Sequence, residues 1–186
     1  MSTATRKPFP HRGEILRAVI ATADARRDGI LPMDVDGVAE TFGDELTLLG
    51  ALQLRWHTRL AGRIERELMS QPLDLEQAVA TAWLATAEEL PGIRAVVDHY
   101  RAEPLDAAMA TAMAKAVAKE RILLAVMAGK ASAQDASAAR VGERIEADAR
   151  AVRELVAVGG TGAPGDPSTP SHRGGLFDRL KAALAA

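Results

Sequence analysis

Apolar residues recur at intervals of three and four along most of the chain. No stretch alternates apolar with polar residues long enough to make a strand. Ile15, Leu16, Val19, Ile20 and Ala23 form one stripe, predicting a first helix from near Gly13. It stops at Asp28-Gly29, where glycine can take the left-handed C-terminal position. Pro32 opens a connector in which Val35, Val38 and Phe42 predict one or two helical turns between Asp34 and Phe42. Gly43 breaks that pattern, and Asp44 stands where a side-chain oxygen can accept the free N–H groups of a new helix. That helix is long, about Glu45 to Ser70. Leu46, Leu49, Trp56, Leu60, Ile64 and Leu68 point inward, Leu48 and Leu52 widen the stripe, and Pro72 ends it.

Asp74 followed by Gln77 is a capping-box spacing. The helix it opens shows one clean face of Leu75, Val79, Ala82, Trp83, Thr86 and Leu90. Pro91 and Gly92 interrupt, and a short helix follows with Ile93, Val96, Val97 and Tyr100 inward. Pro104 suits the first position of the next helix, whose stripe is Leu105, Met109, Met113, Val117, Leu124 and Met127. Small and polar residues from Gly129 to Ser137 fray that helix. The last body helix carries Val141, Ile145, Ala149, Val152 and Leu155, with charged residues assigned to its outer side.

This pattern predicts an all-α bundle of five to six helices over residues 13–157, behind a flexible N-terminal arm at 1–12. Residues 158–174 are rich in glycine, proline and serine, too poor in apolar side chains to offset the entropy of ordering. They read as a flexible linker spanning roughly 20–25 Å on average. Behind it, residues 175–186 form a short amphipathic recognition helix. Leu176, Phe177, Leu180 and Leu184 fall on one face, and Asp178, Arg179 and Lys181 on the other.

Composition narrows the function classes. The chain holds 38 alanines, which favours closely packed helices over sheets. It has no cysteine, which removes disulfides, thiol nucleophiles and thiolate metal sites. A net charge of −2 argues against binding nucleic acid through its phosphates. The apolar runs fall far short of the ~20 residues that span a bilayer, and Met1 to Arg12 lead into no secretory signal, so the expected compartment is the cytoplasm.

Of the candidate sites, the C-terminal segment carries the most information. A helix so short is marginal alone, so it is expected to fold on a surface. That surface is a groove on a protein partner or, less favoured, a membrane. Over the ten residues 175–184, Gly-Leu-Phe-Asp with its following leucines and lysine resembles short membrane-active peptides. It also resembles the docking tails of cargo proteins loaded into bacterial protein shells. A second candidate is the row Arg55, Arg59, Arg63 and Arg66 on the long helix, spaced to share a face that could hold an anion. The competing role for that row is ion pairing with acids on neighbouring helices, such as Glu88 and Glu89.

Other motifs carry less. The histidines lack the Glu-x-x-His spacing of di-metal bundles, so no metal and no cofactor is expected. His99, between Asp98 and Tyr100, reads as a hydrogen-bonded helix-end residue. Asp24 to Val35 imitates a calcium loop, but Arg26 and Val35 stand where oxygen ligands are required. Met109, Met113 and Met127 read as core filling, and Trp56 and Trp83 as bulky anchors of the bundle.

The sequence thus predicts a non-enzymatic adaptor, scaffold or accessory subunit that docks through its C-terminal helix, with self-association of the body as a further use. The alternative is a small helical ligand-binding protein or enzyme whose anionic ligand sits on the arginine row, with His57 or His99 beside it.

Overall fold

A computed structural model describes residues 11–159. Residues 1–10 of the arm expected at 1–12, residues 160–174 of the linker expected at 158–174, and the helix at 175–186 lie outside the described residues; His11 and Arg12 instead cap and open the first helix, and residues 158–159 still belong to the last. Among the described residues, seven α-helices follow one another: α1 (Arg12–Arg26), α2 (Val38–Phe42), α3 (Glu45–Met69), α4 (Leu75–Glu89), α5 (Pro91–Ala102), α6 (Ala107–Met127) and α7 (Ala136–Gly159). The architecture is the all-α bundle. The number exceeds five to six because the short turn α2 stands as an element of its own. No strand occurs among the described residues.

Local chemistry explains most of the boundaries. Asp44 Oδ1 accepts the Thr47 N–H at 2.7 Å, and Asp74 Oδ1 accepts that of Gln77 at 3.0 Å. Each satisfies an N–H that the first helical turn leaves free. Pro91 does not break the chain. It occupies the first position of α5, where a missing N–H is harmless, and Gly92 is buried inside the helix. Pro104 does not start α6. Asp106 does, accepting the Met109 N–H at 2.7 Å, and Leu105 is left exposed ahead of it. The capping carboxylate supplies an acceptor that the proline cannot. Arg27 and Gly29 adopt positive φ at the end of α1, so the chain turns through two left-handed residues there.

α3 is the central element and contacts α1, α2, α4, α5 and α6. It buries Leu48, Leu49, Leu52, Trp56, Leu60 and Ile64. α6 and α7 share the most extensive helix pair. Close approach there depends on Gly142, where a methyl group would overlap the Arg121 backbone carbonyl. Gly92 plays the same part between α5 and the α1 backbone at Ala23 and Asp24. Met109 and Met113 are in the core, while Leu155 is exposed. No helix among the described residues is long and apolar enough to cross a membrane.

Candidate functional site

The bundle interior is not wholly apolar. Glu120 interrupts the stripe of α6 at a core position, and only 7% of it is exposed. A carboxylate there requires donors from its neighbours. The two tryptophans provide them: Trp56 Nε1 donates to Oε2 at 3.0 Å, and Trp83 Nε1 donates to Oε1 at 2.8 Å. The two indoles meet edge to face with centroids 5.9 Å apart. Arg94 of α5, fully buried, places its guanidinium 4.7 Å from the Trp56 ring centroid and 3.5 Å from Glu120 Oε1.

The network continues outward. Asp98 Oδ1 accepts from Arg94 Nη2 at 2.8 Å and from Arg150 Nη2 at 2.7 Å, and Arg150 Nη1 donates to Oδ2 at 3.1 Å. Glu146 Oε1 accepts from Arg101 at 2.7 Å and from Arg150 Nε at 2.9 Å; its Oε2 accepts from Arg121 at 3.0 Å. Glu143 closes the outer end on Arg121 at 2.9 Å. Four arginines therefore balance four carboxylates, and with the indoles they tie together α3, α4, α5, α6 and α7.

The electrostatic response follows from this arrangement. Burial opposes the charge on Asp98, but the Arg150 hydrogen bonds and the Arg94 and Arg150 charges outweigh it, holding its carboxyl below the ordinary value. Glu146 behaves alike: burial raises it, and Arg121, Arg101 and Arg150 together bring it lower. Arg150 is raised above its ordinary value because Asp98 and Glu146 outweigh its own burial.

Sequence reasoning missed this network. The spacing in α7 assigns its charged residues to the outer side, yet Glu146 is 3% exposed. Trp56 and Trp83 do anchor the bundle, but as hydrogen-bond donors as well as apolar bulk. One signal was available. Glu120 falls between Val117 and Leu124 at helical spacing, so the inner face of α6 carried a charge that needed a partner.

A separate feature is a cleft of about 470 Å³ between α3 and α6. Its walls are built from small residues: Gly50 on α3 faces Ala112 and Ala116 on α6, and the missing side chains leave the space. Trp56, Val97 and Glu120 close the bottom. Leu54 and Val117 add apolar surface, and His57, Lys115 and Lys119 bring positive or titratable groups.

The arginine row divides. Arg59 pairs with Glu89 of α4 at 2.6 Å, the neighbouring-helix partner foreseen for it. Arg55 is exposed and lines a shallower groove between α1 and α3 that also includes Arg12, Leu16 and Leu54. Arg63 is half-buried and Arg66 exposed. His99 packs edge-on against Tyr100 at 4.8 Å, and the Tyr100 hydroxyl accepts the Leu31 N–H at 3.3 Å. Asp24 Oδ1 accepts the Gly92 N–H at 2.8 Å and serves the α1–α5 contact. Among the described residues, no group of three or more His, Cys, Asp or Glu side chains comes together to hold a metal ion. Leu176, Phe177, Leu180 and Leu184 lie outside the described residues.

The fold and site define an all-α bundle braced by a buried, charge-balanced arginine–carboxylate–tryptophan network. The chain shows no significant match to a protein-family model, to a curated protein or to a solved structure.

Proposed function

We propose that the protein is a non-enzymatic helical adaptor, scaffold or accessory subunit. Its C-terminal segment docks to a protein partner through Leu176, Phe177, Leu180 and Leu184. The observation that carries this reading is the one-faced spacing of those four residues behind a glycine-, proline- and serine-rich stretch. A helix of that length gains stability on a complementary surface rather than alone. Tethering to the bundle raises its effective concentration at a partner that also touches the body.

The bundle supports the reading in a second way. Buried Glu120 and Glu146 and half-buried Asp98 accept from arginine and indole donors that hold helices together. Asp98 and Glu146 are driven toward the permanently charged form, the opposite of a proton shuttle poised near neutral pH.

Deletion of residues 175–186 tests the proposal. The melting temperature of the body is expected to stay nearly constant while capture of the partner from the native host is lost. Phe177→Asp with Leu180→Asp should act like the deletion. A loss of several kcal/mol of body stability, or undiminished capture, would overturn the proposal.

A further inference from the structure

We propose that the α3/α6 cleft is a binding site for a small amphiphilic monoanion, a carboxylate carrying an apolar chain. This inference is independent of the C-terminal docking reading and uses different residues.

The volume, about 470 Å³, lies in the range of small-molecule sites. The shape has a sequence origin. Gly50 exposes bare backbone, and a Cβ atom built there would meet nothing within 4 Å. Ala112 and Ala116 face it one helical turn apart. Leu54, 68% exposed, and Val117 offer apolar surface that no described helix covers. An apolar chain laid over them removes that surface from water.

The charges select the head group. Among the described residues, Glu120 is the one carboxylate lining the cleft, and it is committed to Trp56, Trp83 and Arg94. Lys115 and Lys119, one turn apart on α6, are exposed on the cleft, with His57 on α3. Among the described residues, the one lysine held in an ion pair is Lys130, with Glu76. Two ammonium groups without an ion-pair partner among the described residues, beside an apolar trough, therefore complement an anionic head joined to an apolar body. The same charges disfavour the chain's own C-terminal segment, whose polar face includes Arg179 and Lys181.

The test uses the full chain and dodecanoate below its micellar concentration. Binding is followed by calorimetry and by the fluorescence of Trp56, which lines the cleft. One saturable site is expected, with dodecanol about tenfold weaker, a difference of about 1.4 kcal/mol. Lys115→Glu with Lys119→Glu should weaken dodecanoate about tenfold and leave dodecanol and the melting temperature unchanged. Gly50→Leu should fill the cleft and abolish binding of both without destabilising the fold. Equal affinity for dodecanol, retained binding in Gly50→Leu, or no saturation would overturn the proposal. Two further results would also overturn it. Stronger uptake onto phosphatidylglycerol vesicles than of free dodecanoate would assign the cleft to a membrane surface. Tenfold tighter binding after deletion of residues 175–186 would assign it to the chain's own tail.

Discussion

Glu120→Ala is the sharpest test of the buried network. The wild-type carboxylate accepts two indole N–H groups and faces the buried Arg94 guanidinium. Its removal leaves both indole donors without a partner, at about 1–3 kcal/mol each. It also takes one counter-charge from Arg94, and breaking a buried pair in this way costs about 3–5 kcal/mol. Arg94 retains Asp98 at 2.8 Å, so the second contribution falls at the lower end. The groups adjoin and their effects overlap, giving an expected total of about 4–6 kcal/mol. Urea unfolding, followed by the fluorescence of the two tryptophans, reads this as a fall in midpoint of about 2 M or more with unchanged slope. Because that loss approaches the stability of an ordinary domain, Glu120→Gln serves as a milder variant. It keeps one acceptor oxygen and turns an NH₂ toward the second indole, an expected loss of about 2–3 kcal/mol. Glu143→Ala, at the exposed end of the same network, should cost less than about 1 kcal/mol. A Glu120→Ala loss below that of Glu143→Ala would refute the assignment of Glu120 as the centre of the network.

Two further outcomes follow from the geometry. Asp98 and Glu146 titrate lower in the folded protein than their ordinary values of 3.8 and 4.5, so the unfolded chain binds more protons between the two. Their contribution is full above about pH 5 and is lost as pH falls through the ordinary carboxylate range toward the folded values. Asp98→Asn should flatten the acid limb of a stability-against-pH curve measured by urea unfolding, and an unchanged limb would contradict the arrangement. Gly142→Ala should lower stability by about 1–3 kcal/mol, because the methyl group meets the backbone carbonyl of Arg121. Gly50→Ala, which meets nothing, should raise it by about 0.5–1 kcal/mol through helix propensity. Thermal unfolding by circular dichroism would separate the two, and a stabilising Gly142→Ala would show that α6 and α7 are not in close contact there.

Much of the architecture was legible along the chain. Asp44 and Asp74 announced the starts of α3 and α4, because capping is a matter of three or four neighbouring residues. The stripes of Leu49, Trp56, Leu60 and Ile64, and of Val79, Ala82 and Trp83, pointed to the faces that are buried. The failures fall where two local signals compete. Pro104 and Asp106 both suit a helix start, and only one can serve the free N–H groups. Pro91 is a breaker inside a helix but harmless at its first position, and the position depends on where α4 ends.

The arginines show the limit most clearly. Arg55, Arg59, Arg63 and Arg66 formed a visible row because they share one helix, yet Arg59 answers to Glu89 on another. Arg94 and Arg150 belong to no such row, and they hold the centre of the bundle.

The sequence by itself determined what depends on near neighbours and on composition: helices rather than strands, their caps, their apolar faces, and the distinct alphabet of residues 158–174. Tertiary structure alone decided which charges are buried and which partners they meet. Trp56, Trp83, Arg94, Glu120 and Glu146 lie on five different helices, and the pairing of such groups follows from helix crossings, which no spacing within a helix encodes. The cleft has the same origin. Gly50, Ala112 and Ala116 are unremarkable helix residues until α3 and α6 set them face to face.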